Sequence, residues 1–68
     1  MKIDVRKINE LMVKQGLSFA ELSEKSGISK QHISRIINLK VEKVRNKTIK
    51  SLADALDVDY KEILNGGI

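Results

Sequence analysis

The stretch SFAELSEKSGISKQHISRIIN, residues 18–38, decides the reading of this chain. It holds two helix starts separated by one glycine. Ser18 and Glu21 have the spacing of a capping box: the serine hydroxyl takes the backbone N–H three residues on, and the glutamate reaches back to the serine N–H. Leu17 and Leu22, on either side of the cap, can close a hydrophobic staple. Gly27 ends this helix, because glycine takes a positive φ without steric penalty. Ile28 then drops into the core. Ser29 caps a further helix that opens at Lys30. Ile33, Ile36 and Ile37 form its apolar stripe, while Lys30, Gln31, Ser34, Arg35 and Asn38 lie largely off that stripe.

Two short helices joined by a glycine-containing turn make a helix-turn-helix. Ser23 must be small, because it sits where the helices cross. Ile33 fills the crotch between them. The arrangement buries one side of the second helix and leaves its polar side outward. Such a helix fits the DNA major groove, which is about 12 Å wide. The first helix braces the second and offers its own N-terminus to a phosphate.

Outward from this motif, Asp4 can cap a helix that runs to Gln15. Ile8, Leu11, Met12 and Gln15 fall along one side of it, at helical spacing. Gly16 is placed as its left-handed stop. After the motif, Leu39 to Arg45 alternates weakly and reads as loop or a turn of helix. A helix follows from Asn46 or Lys47 to Leu56, with Ile49, Leu52, Ala53 and Leu56 inward. Asp57 ends it and Val58 packs inward. Asp59 and Glu62 repeat the capping-box spacing and open a last short helix to Leu64, stopped by Asn65, Gly66 and Gly67. The expectation is an all-α fold of five helices, with no room for a sheet, as one domain over residues 1–68.

Composition narrows the function. A domain near 68 residues buries only ~60% of its unfolded surface, so the core must be compact. With no cysteine and one histidine, no disulfide, thiolate site or zinc cluster is expected, and no cofactor. That fits a cytoplasmic protein. No apolar run approaches the ~18 residues of a membrane span, and the N-terminus lacks a signal-peptide core. No nucleophile–base or metal constellation is present, so an enzyme is not expected. The net charge is +4, but residues 30–50 alone carry seven basic groups against Glu42, a net of +6. The flanking segments 1–29 and 51–68 carry net +1 and −3. A basic band of this kind points to a polyanion.

Residues 16–38 resemble the helix-turn-helix of the Cro/CI-type (lambda-repressor-like, XRE) DNA-binding family, and residues 44–64 are similar to the family's fourth and fifth helices. The resemblance implies a compact five-helix lambda-repressor-like domain acting as a sequence-specific transcriptional regulator of bacterial or phage type, a small repressor or Cro-like protein. Its partner would be double-stranded DNA with a two-fold operator, bound as a homodimer with half-sites about one helical turn apart. No membrane or small-molecule ligand is expected. The family's base-reading positions fall on Lys30, Gln31, Ser34 and Arg35. Asn38 matches a phosphate-contacting position, and Lys40 and Lys43 would flank the backbone there. Ser18 would serve the phosphate at the first helix of the motif. His32 is either a phosphate or edge contact or a solvent-facing side chain.

The chain also departs from the family pattern. Phe19 stands where a phosphate-clamping Gln is usual, and reads as a packing residue. Leu39 replaces a frequent Gly, Asn46 a frequent Pro, and Asp57 a common Gly. Asn46 could cap its helix instead, and Asp tolerates a left-handed conformation moderately well. Many members hold a partly buried Arg–Glu pair where this chain has Met12 and Ile37, so those two side chains are expected to touch. The alternative function is a protein-interaction module, or the DNA-binding antitoxin of a toxin pair. Val41, Val44, Tyr60, Ile63 and Ile68 could then line the partner or dimer surface, though Val44 and Ile63 read better as core.

Overall fold

The structure is a computed structural model that describes residues 3–38 and 44–64. Among these, four α-helices follow one another: α1 (Val5–Gln15), α2 (Phe19–Ser26), α3 (Lys30–Asn38) and α4 (Asn46–Ala55). A 3-10 turn over Tyr60–Ile63 comes last. The Asp4 carboxylate accepts from the Lys7 N–H at 3.1 Å and caps α1. Gly16 ends α1 at φ 67°, and the Leu17 N–H closes on the Met12 carbonyl at 2.8 Å. The capping box of α2 forms in both directions, with Ser18 and Glu21 each accepting the other's N–H at 3.1 Å. Gly27 is left-handed at φ 75°.

Helix α4 opens at Asn46, one of its two expected starts. Asn46 does not cap it. Asn46 is its first helical residue, and the cap position falls to Arg45, in extended geometry (φ −67°, ψ 148°) with no side-chain cap hydrogen bond. The first helical position has an N–H with no intrahelical partner, which is why proline suits it. At the other end, Asp57 takes φ 58°. Its N–H donates to the Asp54 carbonyl at 3.1 Å, and the Val58 N–H to the Ala53 carbonyl at 3.0 Å. These two bonds make a Schellman stop with Asp in the usual glycine place. Gln15 Nε2 donates to the Leu56 carbonyl at 2.6 Å, tying the end of α1 to the end of α4.

The expected fifth α-helix is replaced by the 3-10 turn. The Asp59 carboxylate accepts from the Lys61 N–H at 2.9 Å, two residues on rather than three, so the predicted capping box with Glu62 does not form. Leu64 is already extended (φ −99°, ψ 140°) and makes an isolated antiparallel bridge with Ile3. The Asp4 N–H donates to the Ile63 carbonyl at 2.7 Å. This pairing with a distant segment takes Leu64 out of helical geometry. The fold is therefore four α-helices and a 3-10 turn, and that one bridge is the β structure among the described residues.

One apolar core joins all of these elements. Ile8, Leu22, Ile33, Leu52, Leu56 and Ile63 are essentially inaccessible, and the buried residues among those described include no polar or charged one. Fully burying such a side chain is worth roughly 1.5–3 kcal/mol, so the position of α3 is fixed mainly by Ile33, Ile36 and Ile37. Met12 and Ile37 are both buried in this core, and α1 touches α3. Phe19, Ile28, Val44 and Val58 are partly buried against it.

Candidate nucleic-acid interface

Helix α3 divides cleanly. Ile33, Ile36 and Ile37 are buried, whereas Lys30, Gln31, His32, Arg35 and Asn38 are exposed and Ser34 is intermediate. Lys30, Gln31, Ser34, Arg35 and Asn38 line one shallow, open concavity. The structure thus brings together all four predicted base-reading residues and one predicted phosphate contact, Asn38. His32 is exposed but does not line the concavity. Ser18 lies on a different element, at the cap of α2. Lys40 and Lys43 lie outside the described residues, as do Leu39, Val41, Asn65, Gly66, Gly67 and Ile68.

Serine hydroxyls fix the turn that aims α3. Ser23 Oγ donates to the Ile28 carbonyl, and Ser26 Oγ accepts from the Ile28 N–H at 3.2 Å. Ser29 Oγ accepts from the His32 N–H at 3.1 Å and caps α3. The crossing-point serine is therefore more than small: it satisfies a carbonyl in the turn that no helix ladder reaches. On the exposed side, Asn38 Nδ2 donates to Ser34 Oγ at 2.9 Å. Sequence reasoning gave these two residues separate roles and missed their link, although their i, i+4 spacing permits it.

Charge is distributed unevenly over the described residues. The Glu21 carboxyl is held below the ordinary carboxylate range, first by the Ser18 N–H, then by the Ser18 hydroxyl, with Lys25 adding a smaller attraction. The carboxylate that engages the Ser18 N–H, as the capping box requires, therefore places a negative charge beside the residue expected to serve a phosphate. Phe19 beside it is half-buried, as a packing residue should be. Among the described residues the one ion pair is Lys50–Asp54 at 3.6 Å, well exposed on α4 and worth only a few tenths of a kcal/mol. The opening turn of α4 holds Lys47 after Arg45 and no acid. The helix dipole favours the opposite charge there. Both cations went unassigned in the sequence, where the basic band was their only signal.

Of the side chains expected on a partner surface, Ile63 is core and Val44 half-buried against it, while Tyr60 is 44% exposed. Tyr60 edges a groove between α4 and the 3-10 turn that Ile49, Ala53 and Val58 also line. Among the described residues no helix is long and apolar enough to cross a membrane.

A short braced helix with a polar outer face, packed beside a buttressing helix across a left-handed glycine, defines a helix-turn-helix DNA-binding domain. Residues 7–65 match the Cro/C1-type HTH DNA-binding domain, and the chain belongs to that family. Double-stranded DNA is accordingly its partner. The chain matches none of the curated proteins with which it was compared.

Proposed function

We propose that this chain is a sequence-specific transcriptional regulator, a small repressor or Cro-like protein, that seats α3 in the major groove. One observation carries the reading. Lys30, Gln31, Ser34 and Arg35 share a single open concavity on the side of α3 opposite Ile33, Ile36 and Ile37. Gln31 suits the paired N6 and N7 of adenine, and Arg35 or Lys30 the N7 and O6 of guanine. Asn38 and His32 flank these readers and, with Lys40 and Lys43, hold the backbone. Ser18 is the weakest of the phosphate candidates, given the Glu21 charge beside it. The whole of residues 1–68 acts as one non-enzymatic domain, in the cytoplasm of a bacterial or phage-infected cell.

The chain binds a two-fold operator as a homodimer. Exposed Tyr60 and its groove favour that face for a second subunit. Selection of bound DNA from a random pool, followed by footprinting, tests the reading. A symmetric motif should emerge, with half-sites about one helical turn apart. Affinity should fall with salt at a slope of about −0.9 per phosphate contacted. Arg35→Ala and Gln31→Ala should each relax preference at one position, a discrimination worth roughly 1–3 kcal/mol. Enrichment of no sequence, together with salt-insensitive binding, would refute it in favour of a protein-binding module.

A further inference from the structure

His32 stands on the flank of α3. Successive residues of a helix are set about 100° apart. Ile33, Ile36 and Ile37 centre the buried side, and His32 falls roughly a right angle from that centre, between Ile36 and Arg35 around the helix. It is exposed, and it does not line the concavity that holds Gln31, Ser34 and Arg35. A helix with its side chains is about 10–12 Å across, and the major groove is about 12 Å wide. A helix seated there turns its leading face to the bases and its flanks to the sugar-phosphate walls. The concavity is the leading face of α3, so His32 meets a wall.

A phosphate offers only acceptors. Neutral imidazole donates from one ring nitrogen and accepts at the other, whereas the protonated ring donates from both and carries a charge. Charge-assisted hydrogen bonds are roughly twice as strong as neutral ones. Histidine changes charge between about pH 5 and 8, and His32 is the one histidine of a chain without cysteine. Helix α3 itself adds two cations, Lys30 and Arg35, and no acid. Of the helices packed against it, α2 brings Glu21, Glu24 and Lys25, and α1 brings Arg6, Lys7, Glu10 and Lys14. None of these carboxylates lies within 4.0 Å of a His32 ring nitrogen. The hydrogen bond that His32 makes among the described residues uses its backbone N–H, which donates to Ser29 Oγ at 3.1 Å.

We propose that His32 is a proton-gated phosphate contact: protonated it grips the DNA backbone beside α3, neutral it holds weakly, so the domain binds DNA more tightly as pH falls. The inference rests on the reading of α3 as the helix in the groove. The sign follows from charge, since a phosphate anion favours the imidazolium. Linkage makes the effect reciprocal, and DNA binding takes up a proton at His32. A backbone contact is blind to sequence, so selected and random duplexes should respond alike. An exposed pair of this kind should tighten binding roughly two- to fivefold between about pH 7.5 and about pH 5.5. The same charge neutralises one further phosphate, so the log–log salt slope should steepen by up to about 0.9 at the lower pH.

The test is a fluorescence-anisotropy titration of duplex DNA with the full chain, over a range of salt at both pH values. One duplex carries the sequence selected from a random pool, and the other is of mixed sequence. His32→Gln should lose the pH dependence and keep the shallower slope. His32→Lys should keep the steeper slope and the tighter binding at both pH values. The side chain is exposed and the bond to Ser29 uses the backbone, so both variants should fold. The chain's α-amino group titrates nearer pH 7.7–8.0, and the Gln variant carries it too, so any change that it causes survives in that variant. The proposal falls if the unaltered chain and His32→Gln change in parallel with pH. It falls equally if the effect is confined to the selected duplex, which would make His32 a base-edge contact. If Arg35→Ala and Gln31→Ala still relax base preference, that failure belongs to His32 alone. If they alter no preference, it belongs to the reading of α3 itself.

Discussion

Asp57 gives the sharpest test of how this fold is held, because a single angle sets the expectation. It is the non-glycine residue with positive φ among those described, at 58°. An L-residue in this conformation meets its own carbonyl through Cβ at a cost of roughly 1–2 kcal/mol, less for Asp and Asn, whose side chains bond locally. The conformation persists because it closes two hydrogen bonds at the end of α4 and turns half-buried Val58 toward the core. Glycine removes the clash but gives the unfolded chain more freedom, which takes back about 0.5–1 kcal/mol. Asp57→Gly should therefore stabilise by about 0.5–1 kcal/mol. Asp57→Asn should be near neutral, and Asp57→Ala should destabilise by about 1 kcal/mol. In a domain of this size 1 kcal/mol moves Tm by about 4–8 °C. Urea unfolding at fixed pH reads the order directly, provided that the slope m is unchanged. If Ala proves as stable as Gly, or if both fall below Asp, backbone conformation does not govern this position and the argument fails.

Asn46→Pro should raise stability by about 0.4–1 kcal/mol, because the position is the first of its helix and Arg45 already has the extended geometry that proline demands of its predecessor; a fall in Tm would show that the Asn46 N–H is needed. Met12→Arg or Ile37→Glu alone should destabilise by ~3–5 kcal/mol, while the double variant should recover more than 1 kcal/mol of the summed loss; strictly additive losses in chemical unfolding would show that the two side chains do not meet. Glu21 carries a lowered pKa, so its contribution to stability is present above the usual glutamate value of ~4.3 and is lost as pH falls through its folded value. Thermal melts should then show Glu21→Gln losing less stability than the unaltered chain on acidification below that point, and parallel losses would remove the assigned cause.

What was legible in the sequence was local. The Ser18–Glu21 box, the two left-handed glycines and the isoleucine stripe of α3 each act within a turn of helix, and each forms as read. The Asp59–Glu62 box has the same spacing but does not form. Only Ile63 and Leu64 follow it as apolar anchors, and Leu64 is claimed by Ile3, a partner no local pattern announces. The start of α4 was legible to within one residue: Asn46 was one of two readings, and because asparagine also suits a cap only backbone geometry decides between them. The outer face of α3 was readable by subtraction: burying the stripe leaves the remainder outside. The Asn38–Ser34 bond was not, because sequence spacing permits such a pair without fixing its rotamers.

The pairing of Ile3 with Leu64 also bears on when the domain becomes stable during synthesis. Ile3 is 2% exposed, and the segment that pairs with it is translated some sixty residues later. A nascent chain can wind its early helices inside or near the ribosomal tunnel, yet it cannot seal this seam until residues 63 and 64 have emerged. Emergence of residues 63 and 64, rather than formation of the recognition helix, is then the event that commits the chain to its native state.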